Sequence, residues 1–131
     1  MKVLKDLKYY DNGSRKEEKV TTIHERDKEV ETEYYYYNQQ GQMTRYTYEN
    51  SGNELAKYEE KYEKFNEDDM PTVVNYKGFN SSGKKLEYKK IIEYDEMGCE
   101  KTVTYYDKWG KEMKKIEVGD DENAELDGEN L

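Results

Sequence analysis

The stretch Tyr94-Asp95-Glu96-Met97-Gly98-Cys99-Glu100-Lys101-Thr102-Val103-Thr104-Tyr105-Tyr106-Asp107-Lys108-Trp109-Gly110 decides the fold. It opens and closes on one five-residue unit: an aromatic, an aspartate, two free positions and a glycine. An Asp or Asn that opens a tight turn accepts a hydrogen bond from the backbone two residues on. A glycine three residues later takes the left-handed conformation that closes a three-residue hairpin loop with a bulge. The segment between the two units, 99–106, is rich in β-branched and aromatic residues, which suit a pleated strand. The whole reads as turn, strand, turn.

The same unit recurs outward along the chain. It stands as Tyr37-Asn38-Gln39-Gln40-Gly41, Tyr48-Glu49-Asn50-Ser51-Gly52 and Phe79-Asn80-Ser81-Ser82-Gly83. A shorter version, Tyr10-Asp11-Asn12-Gly13, reads as a two-residue Asn-Gly turn. A degenerate one, Phe65-Asn66-Glu67-Asp68-Asp69-Met70-Pro71, carries Met-Pro near the expected glycine. The intervals hold one strand each, so the chain direction reverses at every turn. The expectation is an all-β fold: an antiparallel up-and-down meander of nine strands over 2–10, 15–25, 29–37, 42–48, 54–65, 72–79, 84–94, 99–106 and 111–118. The sheet is expected to be extended and twisted or partly rolled, with a closed barrel as the alternative that removes exposed edges. The 25–29 connection carries the weakest turn signal. Segment 54–65 holds a competing signal, because Leu55, Tyr58, Tyr62 and Phe65 fall at helical spacing among helix-favouring Glu, Leu, Ala and Lys.

Composition narrows the function classes. Of 131 residues 40% are charged, and Leu, Ile, Val and Phe together number only nineteen, against fifteen tyrosines. That is too little aliphatic material for a thick core, a membrane span or a nucleotide-binding α/β fold. Stability must come from tyrosines and long Lys/Glu stems stacked across neighbouring strands. The net charge of −9 disfavours nucleic acid as a partner. Asp120, Asp121, Glu122, Glu125, Asp127 and Glu129 form an acidic end without Lys or Arg. The domain reading is therefore a β-repeat domain over 1–118 and an acidic disordered tail over 119–131. Read as a complete chain it is cytoplasmic; read as a mature fragment it is secreted or at the cell surface.

The catalytic inventory is thin. His24 is the only histidine and Cys99 the only cysteine, far apart in sequence. That pattern supports neither a metal site nor a Cys–His nucleophile pair. His24 reads as a strand-surface residue. No phosphate-cradling glycine loop precedes a helix. Asp121, Asn123 and Glu125 begin like a calcium loop, but Leu126 holds the position that needs glycine. No enzyme activity, cofactor or metal is expected.

Three features mark candidate binding surfaces. Trp109 is a large apolar residue in a turn. Met97 and Met70 sit in turns at one end of an alternating meander, with Trp109 at the other. Tyr34, Tyr35, Tyr36 and Tyr37 run consecutively, so they must point to both faces. Tyrosine is a good contact residue because it buries area at low entropy cost.

The units, best in Tyr94–Gly98 and Tyr106–Gly110, resemble the tyrosine-aspartate (YD) repeats of bacterial RHS-type proteins and the related short repeats of bacterial surface and lipoprotein β-meanders. They are less similar to MORN-type repeats, found in some bacterial antitoxin components. The resemblance covers roughly residues 9–118 and implies a β-sheet scaffold without catalysis of its own. It carries over no functional residues, because the repeated positions are turn positions. The functional expectation is a non-catalytic module that binds protein through its sheet face or an edge strand, with self-association through an edge as one mode. The alternatives are an immunity-type inhibitor of a toxin, where acidity would complement a basic enzyme, and a glycan-binding module with Tyr or Trp platforms.

Overall fold

The computed structural model describes residues 1–53, 55–79 and 82–118. Nine strands follow in order: β1 (Lys2–Tyr9), β2 (Arg15–Ile23), β3 (Val30–Tyr37), β4 (Met43–Asn50), β5 (Tyr58–Phe65), β6 (Pro71–Phe79), β7 (Lys85–Tyr94), β8 (Glu100–Asp107) and β9 (Glu112–Glu117). They form one antiparallel up-and-down sheet in sequence order, and it does not close into a barrel. β1 and β9 are its edges. There is no helix among the described residues, and so none long and apolar enough to cross a membrane. The helical stripe in 54–65 is overridden: from Tyr58 onward the segment is strand, where its rings stack on neighbours across the ladder. The acidic segment 119–131 and its calcium-like pattern lie outside the described residues.

Four of the turns are one device repeated. Asp107 N–H donates to Lys111 O (2.9 Å) and Gly110 N–H to Asp107 O (3.0 Å). The Asp107 carboxylate then accepts from the N–H groups of Trp109 and Lys111, both at 2.9 Å. The same four bonds tie Asp95 to Met97, Gly98 and Cys99. They tie Asn38 to Gln40, Gly41 and Gln42. They also tie Asn66 to Asp68, Asp69 and Met70. One side-chain oxygen thus satisfies two backbone donors that a tight loop would leave unpaired. The glycine slot has φ near +85°: Gly41 +87°, Gly98 +82°, Gly110 +88°.

Four of the loops, at Tyr10, Asn38, Asp95 and Asp107, are followed by a bulge two residues downstream. Tyr94 faces Glu100 while Glu93 faces Thr102, which leaves Lys101 without a partner. Thr44 and Met113 are skipped in the same way after their turns, and Lys16 after the first. A bulge bends the strand and increases its twist.

Three turn expectations are corrected. Tyr10 N–H donates to Ser14 O and Gly13 N–H to Tyr10 O, so the first turn is the three-residue loop, not the two-residue one. Tyr10 occupies the Asn/Asp slot there, and Asn12 Oδ1 caps Ser14 N–H instead. In the degenerate unit Asp69, with φ +60°, takes the glycine slot; Met70 and Pro71 stand beyond it. Gly52 closes no such loop. Strand β4 continues to Asn50, and a longer connection delays β5 to Tyr58 rather than 54. A Cβ on Gly52 would meet the flexible end of the Glu29 side chain, which would have to swing aside. The 25–29 turn does form, with Lys28 N–H donating to His24 O at 2.8 Å and Lys28 at φ +59°. The turn at Asn80-Ser81 falls outside the described residues, though Gly83 keeps φ +85°.

The chain divides into two compact units, Met1–Lys61 and Tyr62–Leu131. Their interiors differ in kind. The second has an aliphatic core: Val74, Ile92, Val103, Tyr105 and Ile116 cluster, with Tyr62, Tyr88, Tyr94 and Met113 packed around them. Ile92, Val103 and Ile116 stand in one cross-strand row over β7, β8 and β9. Each such side chain contributes about 1.5–3 kcal/mol when fully buried. The first unit contains no buried residue among those described. What holds it together is a lattice of rings, hydroxyls and charges.

Candidate functional site: a tyrosine–carboxylate face on the first unit

Alternation along β3 sends Glu31, Glu33, Tyr35 and Tyr37 to one face, and Thr32, Tyr34 and Tyr36 to the other. The register carries each set across the ladder. Tyr35 stands opposite Tyr46 and Glu18, Glu33 opposite Tyr48 and Val20, and Tyr48 opposite Tyr58. Tyr34 stands opposite Lys19 and Thr47, and Tyr36 opposite Glu17 and Arg45.

On the Tyr34 face the chain covers its own rings with cations. Lys19 Nζ sits 5.6 Å from the Tyr34 centroid and the Arg45 guanidinium 5.2 Å from that of Tyr36. Arg45 Nε also lies 3.2 Å from Glu59 Oε1, an ion pair whose angle falls short of a hydrogen bond. Such cation–ring contacts contribute about 0.5–1 kcal/mol at exposed sites.

The Tyr35 face is organised differently. Tyr35 and Tyr46 pack tilted with centroids 5.0 Å apart, and Tyr48 stacks on Tyr58 at 5.4 Å. Glu33 Oε2 accepts both the Tyr35 hydroxyl (2.9 Å) and the Tyr46 hydroxyl (2.5 Å). Glu31 accepts the Tyr48 hydroxyl at 2.7 Å through Oε1 and faces His24 Nε2 at 3.0 Å through Oε2. Burial and then the Glu33 carboxylate push the Tyr35 hydroxyl up to about 12. Tyr46 is raised further by the same causes in the same order. The hydrogen bonds from His24 and then from Tyr48 hold Glu31 below the usual carboxylate range, and Glu31 in return raises His24. At the turn end Arg15 pairs with Glu18 at 3.3 Å and lies over the Tyr37 ring. Among the described residues no Lys, Arg or His stands within ion-pair distance of Glu33.

The expected contact residues separate in space. Tyr34, Tyr35, Tyr36 and Tyr37 do divide between two faces, and all four are half-buried in lateral contacts. Met70 and Met97 occupy turns at one end of the second unit: Met70 Sδ lies 4.0 Å from where a Gly98 Cβ would stand, while Met97 is 89% exposed. Trp109 is 80% exposed in the turn after β8, the far end of that strand, with Lys108 Nζ 4.6 Å from its ring centroid. The face also draws in Glu31, Glu33, Tyr46, Tyr48 and Tyr58, which the sequence does not single out as contact residues, and His24, which reads there as a strand-surface residue and stands just past the end of β2. Their signal was the period-two alternation Glu31/Glu33/Tyr35/Tyr37, which has meaning only once the register supplies the partners. No group of three His, Cys, Asp or Glu side chains among the described residues is placed to hold a metal ion. No protein-family model matches the chain, and neither a curated protein nor a solved structure is significantly similar to it.

Proposed function

We propose that the chain is a non-catalytic β-repeat module of the tyrosine-aspartate type whose sheet face binds another protein. The observation that carries this is the Met1–Lys61 unit: a ring-rich sheet in which no described residue is buried. A globular domain ordinarily buries at least one face of each sheet. Tyrosines held rigid by hydroxyl–carboxylate bonds bury area at little entropic cost, as protein-binding surfaces require. The repeated Asp/Asn-capped turns support the repeat reading, because one loop device sets the strand spacing along the chain.

The test is site-specific photo-crosslinking in native cells. The photoreactive residue is placed in turn at Thr22, on the Tyr35 face, at Thr21, on the Tyr34 face, and at Trp109. A discrete crosslinked protein from one position and not the others is expected. Absence of any adduct from all three positions would refute the reading.

The inhibitor alternative draws on the carboxylates of the Tyr35 face, which suit a basic enzyme. Coexpression with a neighbouring toxin, scored as survival, separates it from a plain scaffold.

A further inference from the structure

The two faces of the first unit treat their central rings differently, although Arg15 covers Tyr37 at the turn end of the Tyr35 face. On the Tyr34 face, each ring of the Tyr34/Tyr36 pair carries a cation from this chain. On the Tyr35 face, Tyr35, Tyr46, Tyr48 and Tyr58 meet one another and carboxylates. β3 and β4 contribute no Lys or Arg to that face. Glu33 is held by two phenols and has no cation within ion-pair distance among the described residues. A phenol hydroxyl satisfies part of a carboxylate's hydrogen-bonding capacity but none of its charge.

We propose that the Tyr35 face docks an extended, Lys/Arg-bearing segment of a partner protein, with one cation seated on Glu33 beside the packed Tyr35 and Tyr46 rings. This rests on the protein-binding reading and adds the partner's chemistry. Carboxylate and ring faces together attract a guanidinium or ammonium more than either does alone. Glu31 and Glu33 are two residues apart on one strand, roughly 7 Å. An extended partner presents alternate side chains at the same interval, so a segment with a basic residue at every second position matches the strand. A second copy of this chain does not supply such a surface from the same face, because like carboxylates would meet.

The experiment uses the full-length, isotope-labelled chain. It is titrated with a peptide of alternating Lys and Thr, and with the Glu/Thr counterpart as control, while backbone amide shifts are followed. Shifts from the Lys/Thr peptide are expected at Glu33, Tyr35, Tyr46 and Tyr48, with none from the control. Glu33→Gln, which keeps the shape and the phenol bonds, is expected to weaken binding by about tenfold. Tyr35→Phe is expected to stay within about threefold. Glu17→Gln on the opposite face should leave affinity unchanged. Shifts confined to residues 120–131, or equal losses from Glu17→Gln and Glu33→Gln, would overturn the proposal. Crosslinking of a partner at Thr22 with no response to the peptide would discard the basic segment and keep the module. Peptide binding without any cellular adduct would do the reverse.

Discussion

The Tyr46 hydroxyl donates to Glu33 Oε2 at 2.5 Å, although the two residues are thirteen positions apart and not directly opposite in the ladder. The bond runs diagonally from β4 to β3 and meets the one from Tyr35 on the same oxygen. A half-exposed sheet thereby fixes two rings and a carboxylate without an aliphatic core beneath them.

Burial of these rings, and then their bonds to Glu33, set an alkaline limit. Tyr35 is raised from 10.0 to about 12, and Tyr46 further. A hydroxyl whose folded pKa is raised favours the fold in its neutral form. The stabilisation is fully present below pH 10 and is lost as pH rises through the folded value. Near-ultraviolet tyrosinate absorbance should show a late fraction near pH 12 that includes Tyr35 and coincides with loss of β-sheet dichroism. A single transition at pH 10 with the fold intact would contradict the Glu33 geometry.

At the other end of β3, the His24–Glu31 pair should respond to acid and to mild base. Glu31 is lowered from 4.5, so its contribution is present above that value and lost as pH falls through the folded pKa. His24 is raised from 6.5, so its contribution is complete below 6.5 and fades as pH rises through the folded pKa. The histidine ring resonance should titrate with a midpoint above 6.5 in the native chain, and Glu31→Gln should return it toward 6.5.

The aliphatic cluster and the ring lattice should differ in sensitivity to truncation. Ile92→Ala removes buried volume from the second unit's core and is expected to cost about 2–4 kcal/mol. Val20→Ala, at a half-buried position in the first unit, should cost less than about 1 kcal/mol. Urea unfolding of the two variants measures both. Equal losses would mean that the first unit also depends on an aliphatic core.

The repeated turn offers substitutions of opposite sign. Asp107→Ala abandons two backbone donors, at about 0.5–1.5 kcal/mol for each bond lost. Lys28→Gly keeps the backbone bond to His24 and relieves a left-handed φ of +59°, which should raise stability by up to about 1 kcal/mol. Thermal unfolding should move down for the first and up for the second.

Local chemistry made the reversals readable. An Asp or Asn oxygen and a glycine three residues later act within five residues, so Asp95–Gly98 and Asp107–Gly110 state their own turn wherever they occur. The same locality explains the misreadings. Asp69 takes the left-handed slot of a loop that Asn66 caps, and Gly52 closes no such loop because β4 runs on to Asn50 and a longer connection leads to β5. Strand count, order and direction therefore followed from residues near one another in the chain.

What the sequence alone could not decide was which side chains meet. Tyr35 and Tyr46, Glu33 and Tyr48, and His24 and Glu31 are joined by register and side-chain reach, and a one-residue slip would send every ring to the other face. Only the folded ladder brings Glu31 and Glu33 against the hydroxyls of Tyr35, Tyr46 and Tyr48 on one surface and Lys19 and Arg45 over Tyr34 and Tyr36 on the other, because charge and ring positions at period two acquire neighbours only when strands are paired. The turns are written in single peptides; the tyrosine–carboxylate face exists only between strands.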